Sequence, residues 1–246
     1  MISNIPKNIP AVLALLTLGS CAGNEEKEPE KPNIIYILAD DLGYNDLSCY
    51  GQEKFETPNI DAMAEEGIRF TAHYSGSTVC APSRSTLLTG LHTGHTPIRG
   101  NQEIQPEGQH PMPEDTRTIA HELKDAGYTN ACIGKWGLGH PGSESTPLKM
   151  GFDYFFGYNC QRHAHHYFVD YLYENNQRVE YEEPVYSHDI QTEKAFDFIR
   201  ENQDDPFFLY LAYTIPHAEM VLPDKYLKPF IGRYPEGEPF PGGHYG

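Results

Sequence analysis

The chain has 246 residues, enough for one domain with a substantial core. Lysine and arginine number 18 against 35 aspartates and glutamates, and the formal net charge of −17 argues against nucleic acid or anionic lipid headgroups as partners of its surface. Any anion site must then be a local cationic pocket inside a negative envelope, and five cysteines without metal-clip spacing exclude a disulfide scaffold.

The apolar run Ile9 to Leu18 behind Lys7 is too short to span a bilayer and reads as a signal-peptide core. Leu18-Gly19-Ser20-Cys21 is similar to a bacterial lipobox, which implies a signal and lipidation site over residues 1–21 with Cys21 as the acylated first residue of the mature protein. An ordinary secretory signal cleaved nearby is the other reading. Both make the protein exported, to the bacterial periplasm or outer cell surface, and acyl chains on Cys21 would tie it to the membrane. Residues 22–32, rich in Glu, Lys and Pro, read as a flexible tether, so the folded domain is expected over 33–246.

Asn33 to Ala39 is a continuous β-branched, apolar run, the pattern of a central strand buried on both faces of a parallel sheet. It ends in Asp40-Asp41. Paired carboxylates at the C-terminal edge of a core strand suit a divalent cation with oxygen ligands, or an exposed acidic turn leading into Gly43. Thr57 to Gly67 predicts a capped helix with Ile60, Met63 and Ala64 as its buried stripe, and Ile68 to Tyr74 predicts a strand. Residues 80–90 then predict a short helix, with Pro82 at its first position, Leu87 and Leu88 inward and Gly90 as its stop. Cys80 would sit where unpaired N–H groups and the positive helix end favour an anion, with Arg84 one turn on. The alternative is a buried cysteine before an ordinary helix.

Leu91 to Pro113 lacks periodicity and reads as a functional or protecting loop, with His92 and His95 as loop histidines rather than metal ligands. Thr118 to Ala126 predicts a helix and Tyr128 to Ile133 a strand that carries Cys132 in the core and delivers Lys135 to its C-terminal edge. An aromatic segment, Gly151 to Tyr158, precedes a histidine cluster containing His165. Asp189 to Glu201 predicts a helix, and Pro206 to Thr214 a core strand that ends before His217.

Three segments carry a resemblance. Cys80-Ala81-Pro82-Ser83-Arg84, continuing through Leu87-Leu88-Thr89-Gly90, resembles the signature of the formylglycine-dependent type I sulfatases of the alkaline-phosphatase-like superfamily. Gly127-Tyr128, followed by Ile133-Gly134-Lys135-Trp136, resembles that family's second signature, and Gly151-Phe152-Asp153 with Phe155 and Gly157 a further segment. The resemblance implies an α/β fold with a mostly parallel central sheet flanked by helices, and a sulfuric ester hydrolase acting on a sulfated carbohydrate or aryl sulfate. A maturation enzyme would oxidise Cys80 to formylglycine. Ca2+, in preference to Mg2+, would bind Asp40, Asp41 and residue 80. Arg84, Lys135 and His217 would hold the sulfate. The hydrated aldehyde would attack sulfur through one hydroxyl and expel sulfate by deprotonation of the second.

Two positions depart from the pattern. Asn130 stands where Ser or Thr is usual, and Gly137 where many members have a histidine; His165 is the expected replacement donor and substrate contact, the other reading being a substrate-facing polar loop with no chemical role. The resemblance runs from residue 33 to about 245, the front part of a sulfatase domain, so the fold is expected to be incomplete at the C-terminus. The family's later Asp-Asn pair and second lysine are not in this sequence. The alternatives are a phosphomonoester or phosphonate hydrolase using the same aldehyde, and a non-catalytic lipoprotein that binds sulfated glycans.

Overall fold

A computed structural model describes residues 31–217 and 219–234. The expected signal peptide and Cys21 lie outside the described residues. Six strands form one sheet in the order β1 (Ile34–Ala39), β6 (Phe207–Tyr213), β2 (Thr129–Lys135), β3 (Tyr154–Tyr158), β4 (Phe168–Glu174) and β5 (Gln177–Tyr186). The first four run parallel, and the β4–β5 hairpin continues the sheet antiparallel. The fold is thus the mostly parallel, helix-flanked α/β sheet that the resemblance implies.

The centre of the sheet follows from side-chain alternation. Phe208, Tyr210 and Cys132 point to one face, where they pack with α2 (Cys80–Thr89), α3 (Ile119–Asp125), Trp136 and Phe152. Leu209, Leu211, Ala131 and Ile133 point to the other, against Ala195 and Phe198 of α4 (Ser187–Glu201). β2 and β6 are therefore buried on both faces, and burial pushes the Cys132 thiol well up, in keeping with a packing residue. No helix among the described residues is long and apolar enough to cross a membrane.

Four expectations need correction. β1 is an edge strand rather than a central one: Ile35 is 48% and Ile37 56% exposed, because no strand flanks its outer side among the described residues and α4 does not reach over it. In α1 (Pro58–Glu66) the stripe is uncovered, with Ile60 and Met63 exposed. Residues 68–74 form no strand. Helix α2 begins at Cys80 itself, which places Pro82 two positions deeper in the first turn than expected; Gly90 ends the helix at φ 67°, as a left-handed cap requires.

Candidate active site

Parallel strands finish on one rim, and that rim gathers the chemistry. Asp40 follows β1, and its amide donates to the Ile215 carbonyl beyond β6 at 3.1 Å, locking the two strand exits together. Lys135 is the last residue of β2, His217 follows β6, and His165 closes a single 3₁₀ turn (His163–His165) after β3. Cys80 and Arg84 come to the same place from the start of α2.

A buried ion cluster forms the floor. Lys135 Nζ donates to Asp40 Oδ2 at 2.6 Å, and Arg84 Nη2 lies 3.4 Å from the same oxygen, with all three side chains below 10% exposed. Arg84 Nη1 also donates to the Lys135 carbonyl at 2.7 Å, which ties the helix to the strand end. Burial alone would raise the Asp40 pKa, but the Arg84 and Lys135 charges outweigh it and hold the carboxyl below its ordinary value. The expected neutraliser of the acidic pair was a metal ion; for Asp40 the chain itself supplies two cations. Asp41 takes a positive φ of 61°, is mostly exposed, and lies 3.2 Å from His217 Nε2 through Oδ2.

Cys80 sits above this floor, half-buried, with Lys135 Nζ 3.4 Å from Sγ. Burial pushes the thiol up. Hydrogen bonding to His165 and His217 and the Lys135 ammonium outweigh burial and the Asp40 charge, and bring it down to about 5. The rings of His165 and His217 stack at 4.3 Å. His165 Nε2 is buried and has no other partner among the described residues. In the unmodified cysteine form, alkylation of Cys80 by iodoacetamide is therefore expected to hold its rate from pH 7 down to 6 and to fall as pH drops through about 5. His165→Ala should move that midpoint upward; an unshifted midpoint would remove His165 from the site.

The structure also explains how Gly137 is accommodated. Its φ is 70°, and a Cβ there would stand 2.3 Å from Gln161 Nε2. Gln161 fills the volume a side chain would need and donates to the Gly137 carbonyl at 3.3 Å. An imidazole reaches residue 80 from the His163–His165 turn instead. Gln161 gave no sequence signal, nor did Asn101, whose Oδ1 accepts from the Ala81 amide at 2.9 Å and so caps the helix beside Cys80. His92 and His95 pair edge-on with each other and take no part in this cluster.

The donor set can be tested against a divalent ion. Asp40, Cys80 and His217 offer ligand atoms within 4.8 Å of one another. Lys135 and Arg84 both take Asp40 Oδ2, and no hydrogen bond among the described residues uses Oδ1. With Asp41 alongside, two hard carboxylates face the rim, which fits part of the six to eight oxygens a calcium ion takes, about that number in known sites. The cavity over them, about 750 Å³, is lined by Asp40, Asp41, Tyr74, Ser77, Cys80 and Arg84.

Residues 32–241 match the sulfatase family. An arylsulfatase of Klebsiella aerogenes is 33% identical over 247 residues, covering 94% of this chain and 52% of that protein. The N-acetylgalactosamine-6-sulfatase of Rattus norvegicus is 37% identical over 246 residues, covering 84% and 44%. Among solved structures, Ps i-CgsB in complex with k-i-k-neocarrahexaose superposes with a TM-score of 0.72 at 31% identity, over 82% of this chain and 49% of that one. A structure in complex with its substrate D-glucosamine-2-N,6-O-disulfate gives 0.69 at 30% identity, over 85% and 39%. The chain spans about half the length of the curated relatives it matches.

Proposed function

The chain belongs to the sulfatase family, and we propose that it hydrolyses sulfate esters of carbohydrates through residue 80. The observation that carries this reading is the charge balance of the floor. Arg84 and Lys135 supply two positive charges against the single buried carboxylate of Asp40. The surplus falls where Cys80 sits, and an anion there, thiolate or sulfate, completes the balance.

When Cys80 carries the aldehyde, residue 80 supplies an oxygen nucleophile, and a calcium ion held by Asp40 and Asp41 would polarise the sulfate. The remaining work belongs to this chain's own side chains. Lys135 and Arg84 are fixed before substrate arrives, so charge gathering on the sulfuryl oxygens meets oriented donors. Asp40 holds them in place. His165 is positioned to give a proton to the alcohol oxygen as the S–O bond breaks, and His217, beside Asp41, to take one from residue 80. Sulfated sugars as substrates are supported by the ligands of the structural neighbours. A formylglycine-generating enzyme is then a required partner. Export with a lipid anchor at Cys21 is part of the same reading and rests on the lipobox-like segment.

The test is peptide mass spectrometry across Cys80 joined to rates on an aryl sulfate and the matching aryl phosphate. We expect the thiol replaced by an aldehyde and the sulfate hydrolysed faster. A faster phosphate reaction would favour the phosphomonoester reading. An unmodified thiol in protein that binds sulfated glycans without turnover would favour the lectin-like one.

A further inference from the structure

We infer that the loop following α2 forms a second oxyanion subsite, which seats a sulfate or carboxylate on the sugar beside the one whose ester is cleaved. The inference rests on the sulfatase reading above. A cavity of about 540 Å³ lies over this loop, lined by His95, Thr96, Arg99, Asn101, Gln102 and His110. No carboxylate lines it, although the chain carries 35 acidic residues and a net charge of −17. It is therefore a local cationic pocket of the kind such an envelope requires.

Arg99 is its cation. Its Nε donates to the Thr96 carbonyl at 3.4 Å, and its terminal nitrogens meet no carboxylate among the described residues. Arg99 is exposed, so its planar guanidinium is open to take two oxygens of a sulfate or carboxylate side by side. Asn101 connects the cavity to the reaction centre. It lines the wall and accepts from the amide of Ala81, the residue after Cys80. The second anion would thus sit within reach of a neighbouring sugar ring.

The loop is also built rather than loose. Thr96 is buried and shares a 2.5 Å hydrogen bond with Ser85 of α2, and Ile98 is part of the core. The His110 amide closes on the Gln102 carbonyl at 2.8 Å, and the Gln109 amide reaches the Gly139 carbonyl at 2.8 Å. The loop's backbone is therefore pre-formed, while the side chains of His95, Arg99, Gln102 and His110 that would meet a ligand are exposed on it. The amides and imidazoles around Arg99 suit sugar hydroxyls.

The test compares Arg99→Ala with the wild-type chain on three substrates: an aryl sulfate, a singly sulfated disaccharide, and its disulfated counterpart. Binding of both disaccharides is titrated by calorimetry in a Cys80→Ala background, where turnover is removed. We expect affinity and kcat/KM for the disulfated sugar to fall about tenfold or more, with the loss in KM, as for a charge-assisted contact. The aryl sulfate should be unaffected. An equal loss on all three substrates would mean that Arg99 is structural, and no loss on any would mean that the cavity holds no anion; either overturns the inference. A wild-type chain that turned over no sulfate ester, yet bound the disulfated sugar more tightly through Arg99, would overturn the catalytic reading and leave the subsite standing.

Discussion

The Cys80→Ala variant is expected to lose sulfate-ester turnover by about 10⁴-fold or more, the scale seen when a covalent nucleophile is removed. The fold should survive, because alanine suits the first turn of α2 and Cys80 is only half-buried. Free sulfate should still bind. Asp40, Arg84 and Lys135 remain, and without the thiolate the two cations pair with no carboxylate but that of Asp40 among the described residues. Calorimetric titration with sulfate separates the two contributions. Lost turnover with retained sulfate binding supports residue 80 as nucleophile over a separate anion floor. Lost binding would show that the floor does not hold the anion.

Lys135→Ala strikes that floor. Lys135 is fully buried, and its removal leaves Asp40 with only the longer Arg84 contact. Stripping one partner from a buried pair costs about 3–5 kcal/mol, well beyond a surface lysine, and denaturant unfolding measures it. Turnover should fall by a further 10²–10³-fold, roughly the worth of one oriented donor to a developing oxyanion. Acid sensitivity offers a second measure. The folded-state pKa of Asp40 lies below its ordinary value: burial opposes this, and the Arg84 and Lys135 charges outweigh it. Its stabilisation is therefore complete above an unfolded pKa of about 3.9 and is lost as pH falls through the depressed value. The variant should unfold at higher pH than the wild type. A stability change under about 1 kcal/mol with turnover intact would reduce Lys135 to a bystander.

The rim was readable in the sequence because its residues follow apolar runs. Asp40, Lys135 and His217 each sit just past such a run, and parallel strands deliver their ends to one edge. The short helix carrying Cys80 and Arg84 was readable from its glycine stop and leucines. The partners of these residues were not. Lys135 lies 95 positions from Asp40, and no local pattern announces that pairing. Gln161 occupies the volume left by Gly137 from 24 residues away. The exposed stripe of α1 and the bare flank of β1 have the same cause. Periodicity reports what an element can bury, not what is present to cover it.

The register of β1 has a consequence for the order in which this protein is made. Ile34 pairs with Phe208, and the Asn33 side chain accepts from the Phe207 amide across 174 positions. At 5–20 residues per second, roughly 10–35 s pass between emergence of the first strand from the ribosome and arrival of its partner. Lys135 emerges before β6, yet β6 lies between β1 and β2, so Asp40 and Lys135 wait on the nascent chain until β6 brings their strands into one sheet. Closure of the candidate site's rim is thereby deferred until translation has carried β6 into the open.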